Sequence, residues 1–500
     1  MEISILVIAV VSFGCGLFFT WAGRALAPRF RLVDRPDGRR KIHAVPIAVI
    51  GGIALLCAST AAILLSGLVA EPVASVLRDN AQPMLALLIA AAIIAVVGLV
   101  DDVFNLRARY KLLGQFTAIA VLILPGGFLI EYMSFFGQSI ELGWLSIPIT
   151  GLWFLAAINA LNLLDGMDGM LGSIATIILV SLSIMAFWVS HDIDGYIAIA
   201  LAGSLLGFLR FNLPPATVYL GDCGSMLVGL VIAAIAIHAS IKGAAVAVVA
   251  PTALLVLPFL DTAAAIVRRK LTGRGIAAAD RGHLHHMLQK RGLATPRALV
   301  IVCALCVVAS LGALGSMYFH NDFPALGSSL IIGMFLLLGG FFGAAEMRLI
   351  RERLFGMFRQ ARAGRTGVEM EVRLQGSADW TDVWTQITNT AEEYRFAAVT
   401  LDLNAPAWHE GYHRRWTRVG VPEDPLTCWR VDLPLMSQGQ IIGRLSVSGN
   451  RDGESLVETL SALGRILAQT ETLASLAAHR SGLTNRQHPA IAPVTLSASA

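Results

Sequence analysis

Charge is what this chain has least of. Only 14% of its 500 residues are Asp, Glu, Lys or Arg, against about 25% in an ordinary soluble domain. Hydrophobic residues make up 56%, and the mean hydropathy is +0.68. That balance excludes a soluble globular protein and a disordered one. No nucleic-acid partner is expected. Cysteine is also scarce. Cys15, Cys57, Cys223, Cys303, Cys306 and Cys428 are scattered, mostly within apolar runs, so no disulfide framework is implied. Cys303 and Cys306 have a redox or zinc spacing, but inside an apolar run they read as packing. The first apolar run has no basic stretch before it and no small-residue cleavage pattern after it. It reads as a span and not as a removable signal. There is no internal repeat.

What the chain does have is long apolar runs. They fall near 3–22, 46–69, 83–100, 112–130, 144–160, 171–190, 193–210, 220–238, 243–260, 298–318 and 325–345. At roughly 20 residues per crossing, that is about eleven helices. Lys and Arg crowd alternate loops: Arg24 to Lys41, Arg107 to Lys111, and Arg268 to Arg297. The loops between hold almost none, so the basic loops are expected on the cytoplasmic side. The N-terminus then lies outside and the C-terminus inside. The fold expected is an all-α polytopic membrane protein, followed by a small cytoplasmic α+β domain. Its parts are a transmembrane domain (1–345), a basic amphipathic linker (346–366), the α+β domain (367–475) and a disordered tail (476–500). Within the α+β domain, strands are expected near 368–374 and 397–403, a helix near 379–394, a hairpin over 427–448 and a last helix on the leucines from Leu456 to Leu473.

Five polar clusters interrupt the apolar pattern, all on the cytoplasmic side. The most informative is 159–170, NALNLLDGMDGM. Asn162, Asp165 and Asp168 recur every third position, which would align them on one side of a helical turn. Carboxylates beside a bilayer are expensive and so suggest use; the plain alternative is an Asp-Gly turn. In 34–52, Lys41 and His43 suit a phosphate, while Arg39 and Arg40 also serve as a positive-inside anchor. Gly51 and Gly52 allow close helix approach. Asp101 and Asp102 are adjacent like charges, which favours either a raised pKa or a shared cation. Lys111 and Gln115 follow on one helix face. In 212–225, Asp222 stands between glycines, and with another carboxylate it could hold a hard cation. It could equally cap a helix. In 261–288, Asp261 precedes Arg281, His283, His285 and His286. No completing ligand gives a standard zinc site there, and a diphosphate clamp fits better. Together these describe phosphoryl transfer at a membrane surface.

In this order and spacing, Asp34-x-Pro36, Lys41-x-His43, Asp101-Asp102, Lys111-x-x-x-Gln115, Asn162-x-x-Asp165-Gly-x-Asp168-Gly, Asn212-x-Pro214, Gly221-Asp222-x-Gly-Ser225 and Asp280-Arg281-x-His283-Leu-His285-His286 resemble the bacterial polyprenyl-phosphate N-acetylhexosamine-1-phosphate transferases, glycosyltransferase family 4. The resemblance covers about 1–345. It implies transfer of a sugar 1-phosphate from a UDP-N-acetylhexosamine to undecaprenyl phosphate, with release of UMP. It implies Mg²⁺, with Mn²⁺ as a substitute, and residence in the bacterial inner membrane; a homodimer is allowed. Asp222 matches the metal-binding aspartate. Asp101 and Asp102 match the pair that handles the lipid phosphate, one as its base. Asp168 and Asn212 match nucleotide contacts, with Asn162 and Asp165 shaping the site beside them. Lys41 and Lys111 match polar-site lysines, His43 stands beside the first, and Arg281, His283, His285 and His286 match the histidine motif at the diphosphate. Ala48, where proline is common, and Cys223, where a small residue is usual, depart from the pattern.

The DRGHLHH loop resembles the branch that starts O-antigen lipopolysaccharide, teichoic acid or capsule with N-acetylglucosamine phosphate. The alternative is the phospho-MurNAc-pentapeptide transferases of peptidoglycan synthesis. A transporter or membrane sensor is the reading from another class; it predicts acids in mid-span, whereas these sit at span ends. The C-terminal domain is an extension, expected to regulate or dimerise.

Overall fold

The computed structural model describes residues 2–34, 46–136, 138–241, 249–271, 282–341, 367–375, 380–405, 410–418, 428–437, 440–450, 461, 463–465, 467–468 and 471–472. The chain divides into two compact units, Met1–Val267 with Gly275–Phe342, and Arg268–Arg274 with Gly343–Ala500.

The first unit is built from helices. In chain order it opens with α1 (Glu2–Leu26), strands β1 (Val33–Asp34) and β2 (Ile47–Val49), then α2 (Gly51–Val69), α3 (Glu71–Asp79), α4 (Ala81–Phe104) and α5 (Ala108–Ile123). A hairpin of β3 (Tyr132–Phe135) and β4 (Gln138–Glu141) leads to α6 (Ser146–Leu164), α7 (Met170–Trp188), α8 (Asp192–Asn212), β5 (Val218–Tyr219) and α9 (Gly221–Ile241). There follow α10 (Val249–Leu254), α11 (Val256–Leu271), α12 (Leu284–Lys290), α13 (Thr295–Tyr318) and α14 (Phe323–Leu338).

Eight helices among the described residues are long and apolar enough to cross a membrane: α1, α2, α4, α6, α7, α8, α9 and α13. The chain is a multi-pass membrane protein. The other three expected spans coincide with shorter helices, for local reasons. Helix α5 stops at Ile123, ahead of Pro125, Gly126 and a positive-φ Gly127. The run near 243–260 falls on α10 and α11, which break at Leu255; Pro258 has no N–H for the carbonyl of Leu254. Helix α14 ends before Gly339 and a positive-φ Gly340.

The outermost helices stay lipid-like on their surfaces, and the middle ones are buried. In α8 and α9, 83% of the apolar window lies inside the protein, against 28% in α1. These two therefore form the centre of the bundle, and their ends are where buried polar groups can be held. The unit is not wholly helical, which corrects the all-α expectation. Strands β1 and β2 pair antiparallel through Val33–Ala48 and Asp34–Ile47, and β2 pairs parallel with β5 through Ala48–Val218 and Val49–Tyr219. This small sheet ties both ends of the 35–45 segment to the strand that leads into α9.

The second unit contains β6 (Gly367–Gln375), α15 (Thr381–Glu393), β7 (Ala398–Ala405), β8 (Glu410–Arg418), β9 (Cys428–Ser437) and β10 (Gln440–Asn450). The strands form one antiparallel sheet in the order β6-β8-β7-β10-β9. Trp380, Trp384, Phe396, Tyr412 and Trp416 fill its core. The expected strands, helix and hairpin are present. Strand β8 was not expected: Arg414, Arg415 and Arg418 hide its period. Two of those guanidinium groups lie over the rings of Trp384 and Trp416, so the charges cover aromatic surface. The 346–366 linker and the 476–500 tail lie outside the described residues.

Candidate active site

The polar residues of the first unit meet where α4, α5, α6 and α9 share an end. Helix α4 finishes at Phe104 with Asn105 in a left-handed C-cap, which leaves Asp101 and Asp102 in its last turn. Lys111 opens α5. Its ammonium lies 2.6 Å from Asp101 Oδ2 and 2.6 Å from Asp222 Oδ2. The other oxygen of Asp101 accepts the Leu106 N–H at 2.7 Å. Asn162, in the last turn of α6, donates to Asp222 Oδ1 at 2.7 Å and lies 2.7 Å from Ser225 Oγ. Asp222 is thereby held from both sides.

Asp102 has a different task. Its two oxygens accept the N–H groups of Asp222 at 2.8 Å and Cys223 at 3.2 Å. It caps the first turn of α9 from another helix, where a carboxylate also complements the helix dipole. Three glycines make this approach possible. A Cβ on Gly98 would lie 2.4 Å from Cys223 Cα, one on Gly52 would lie 2.3 Å from the Gly224 nitrogen, and one on Gly221 would lie 2.6 Å from Asp102 Oδ2. Gly221 also adopts φ +73, a conformation that suits glycine. The Gly51-Gly52 expectation of close approach is met. Cys223 is buried in the seam that Gly52 and Gly98 leave open.

The 159–170 segment departs from the expected helical turn. Helix α6 ends at Leu164, and α7 begins after Gly169, which has φ +74. Asp165 and Asp168 therefore sit in the loop between helices. Asp168 accepts the Ala216 N–H at 2.9 Å. Asn212 spends both ends of its amide on the chain, accepting the Gly169 N–H at 3.1 Å and donating to the Val218 carbonyl at 2.8 Å. Asp165 has no hydrogen-bond donor on its carboxylate among the described residues. Burial, followed by the charges of Asp222, Asp102 and Asp168, pushes it up to about 7. It is the acid here best placed to gain from a cation.

The histidines come to the same loop. A Cβ on Gly166 would lie 2.3 Å from His285 Cε1 and Nε2. His283 stacks parallel to His285 at 6.1 Å between ring centroids, and His286 follows at 4.1 Å. Among the described residues, neither ring nitrogen of His285 has a partner. Burial, and then His286 and His283, push it down to about 3, so it is neutral at physiological pH. His283 shares a 2.8 Å hydrogen bond from Nδ1 with Asp261 Oδ2. Asp261 is 1% exposed and takes the Leu284 N–H on its other oxygen at 3.0 Å.

The structure thus brings together Asp101, Asp102, Lys111, Asn162, Asp165, Asp168, Asn212, Asp222, His283, His285 and His286. Lys41, His43 and Arg281 lie outside the described residues. Gln115 is a buried amide whose oxygen accepts from Asn159 at 2.9 Å. Sequence reasoning left Asp261 and Ser225 without a role. A lone acid closing an apolar run, twenty-two residues before His283, was the available signal for the first.

As a donor set, carboxylate oxygens with one uncommitted acid fit a hard divalent cation. The Lys111 ammonium already bridges two of them, which shows that the cluster draws positive charge.

Several known proteins are similar to this chain. The model of glycosyl transferase family 4 matches residues 84–240, a stretch that holds every carboxylate of the cluster. A Bacillus subtilis (strain 168) protein named "Probable undecaprenyl-phosphate N-acetylglucosaminyl 1-phosphate transferase" is 31% identical over 315 residues, covering 62% of this chain and 85% of that protein. The decaprenyl-phosphate N-acetylglucosaminephosphotransferase of Mycobacterium leprae (strain TN) is 30% identical, over 63% of this chain and 85% of its own length. The undecaprenyl-phosphate alpha-N-acetylglucosaminyl 1-phosphate transferase of Haemophilus influenzae (Rd) is 30% identical, over 63% and 86%.

Proposed function

The chain belongs to glycosyl transferase family 4, and from that footing we propose that it transfers N-acetylglucosamine 1-phosphate from UDP-N-acetylglucosamine to undecaprenyl phosphate. UMP is the second product. The observation that carries the reading is the convergence of Asp101, Lys111, Asn162 and Asp222 at one end of the bundle. On the positive-inside argument that end faces the cytoplasm of a bacterial inner membrane, where nucleotide sugars are made.

A phosphate oxygen of the lipid attacks the β-phosphorus of the donor. The bond from that phosphorus to the bridging oxygen breaks, and UMP leaves with the electron pair. A phosphate monoester has its second pKa near 6, so the nucleophile is largely deprotonated without help. The chain's task is then position and charge. Lys111 offers a cation between the two reacting phosphates. Asp102 fixes the start of α9 and so aims Asp222, and Asn162, which also donates to Ser225 Oγ, holds that carboxylate from the other side. His283, oriented by Asp261, offers its Nε2 to a diphosphate oxygen. His285 stays neutral and packs the loop that carries Asp165.

Asp222 and Asp165 are the residues we assign to Mg²⁺, or to Mn²⁺ in its place. When bound, the ion would neutralise diphosphate charge and polarise the phosphoryl oxygens. Purified protein in detergent, given undecaprenyl phosphate and Mg²⁺, should release UMP from UDP-N-acetylglucosamine. UMP from UDP-MurNAc-pentapeptide alone would move the chain to the peptidoglycan reaction, and UMP from neither would end the proposal.

A further inference from the structure

At the other end of the same helices lies a second convergence of ligand-type side chains. His191 stands in the α7–α8 turn, Asp194 in the first turn of α8, and His238 near the end of α9. Helix α8 has 21 residues, so about 30 Å separates this cluster from the carboxylate site. It serves no step of the transfer reaction.

His191 Nδ1 is 3.2 Å from Asp194 Oδ2. His238 Nδ1 is 3.3 Å from each carboxylate oxygen of Asp194. One ligand atom from each residue lies within 4.8 Å of the others. The buried His283–Asp261 pair makes a shorter hydrogen bond, at 2.8 Å. The edge of a tetrahedron with metal–ligand bonds near 2.0–2.1 Å is instead about 3.3 Å. Both imidazoles turn Nδ1 toward one carboxylate at the long end of hydrogen-bond distance, a spacing that two ligands of one tetrahedral ion would also have. Phe128 stacks on His238 at 4.1 Å and 9°, which fixes the plane of that ring. The carboxylate is almost fully buried, at 3% exposure, while each imidazole keeps 16%. Water can therefore reach a fourth position.

We propose that His191, Asp194 and His238 form a zinc site that clamps the α7–α8 turn to the end of α9 on the face opposite the carboxylate cluster. Two imidazoles favour zinc over Mg²⁺ or Ca²⁺, which take oxygen ligands. Three protein ligands with an open position match a tetrahedral site completed by water.

The test uses the full-length protein in detergent, stripped with EDTA and titrated with Co²⁺ as the spectroscopic probe. One equivalent should bind with the visible absorption of tetrahedral cobalt. Zn²⁺ should displace it, and a thousandfold excess of Mg²⁺ should not. Zn²⁺ should also raise the Tm. His191→Gln and His238→Gln each keep a side chain able to hydrogen-bond Asp194 but remove an imidazole. Each should weaken Co²⁺ binding at least a hundredfold while retaining a cooperative melt. His286→Gln should bind as the unmodified protein does. No tetrahedral absorption in the unmodified protein overturns the proposal whatever the variants do. So does absorption that survives His238→Gln and is lost in His286→Gln, because the metal would then sit at the other histidine cluster.

Discussion

Gly166→Ala tests the contact that joins the acidic loop to the histidines. The new methyl would lie 2.3 Å from His285 Cε1 and Nε2, whereas ordinary contact begins near 3.4 Å. One side must move by about 1 Å. His285 has little room to yield. It is 2% exposed, with His283 stacked on it and His286 4.1 Å away. The loop must shift instead, and it carries Asp165 and Asp168 on either side of residue 166. A misplacement of about 1 Å in a catalytic constellation costs on the order of 10²-fold in rate, or about 2.7 kcal/mol of barrier. UMP release under saturating substrates should show that fall in kcat. The decisive comparison is a double-mutant cycle with His285→Ala, which removes the ring that the methyl meets. Gly166→Ala should cost far less in that background, because the two positions are coupled. Equal losses in both backgrounds would refute the contact, and a kcat within twofold of the parent would refute the claim that this loop positions the site.

Three further outcomes are expected. Asp102→Asn leaves one of the two N–H groups at the start of α9 without its acceptor, so stability should fall by about 1–3 kcal/mol. Thermal melts check this, and an unchanged Tm with unchanged activity would rule out the capping role. Asp261→Asn weakens the hydrogen bond that orients His283, a change worth about 1.5 kcal/mol or roughly tenfold in kcat; the same loss in a His283→Ala background would show that Asp261 does not act through the imidazole. Asp165 is lifted to about 7 by burial and by its acidic neighbours, above the roughly 3.9 of an unfolded aspartate. The folded state then holds this proton more tightly than the unfolded one. Its contribution is fully present below about pH 4 and is lost as pH rises through about 7. In EDTA, the parent should therefore lose more Tm between pH 5 and 8 than Asp165→Asn does, and equal slopes would contradict the electrostatic reading.

Much of this site was legible before the fold was known, because polar residues in an apolar chain stand out. Asp101, Asp102, Lys111, Asn162, Asp165, Asp168 and Asp222 announce themselves by the cost of placing them at span ends. Their division of labour was not legible. That Asp102 serves backbone N–H groups depends on α4 and α9 approaching through Gly98, a tertiary fact with no sequence period. Asn212 looks like a ligand in sequence and spends its amide on Gly169 and Val218. The loop geometry of Asp165 and Asp168 was missed because a three-residue spacing fits a helix, and the left-handed Gly169 overrides it. Helix lengths were overestimated where proline and glycine sit inside apolar runs, since hydropathy measures solubility in lipid and not continuity of hydrogen bonds. In the second unit, the alternating strands were readable and β8 was not, because its arginines cover aromatic surface instead of facing water alone.

The charge of the described site constrains how it can work. Asp101, Asp102, Asp165, Asp168 and Asp222 gather with one ammonium, that of Lys111, which contacts two of them, a formal charge of −4 when all five acids are ionised. The two substrates we assign bring a diphosphate and a phosphate monoester. Like charges confined at 4–6 Å repel by several kcal/mol in a partly desolvated cleft, so neither substrate would enter this cluster as it stands. Positive charge must arrive with them. The divalent ion we assign would supply part of it. Candidates in the sequence for the remainder fall on two segments outside the described residues: Arg39, Arg40 and Lys41 in one, and Arg281 in the other. The first segment is tied at both ends to the sheet that leads into α9, and the second runs directly into His283. Cations on these segments would give each substrate a positive charge to meet, and would leave the carboxylates for the metal we assign. On this account Lys41→Ala and Arg281→Ala should each raise the KM for UDP-N-acetylglucosamine, and more steeply at low salt, where charge is least screened. A KM unchanged in both variants at low ionic strength would mean that the positive charge comes from elsewhere.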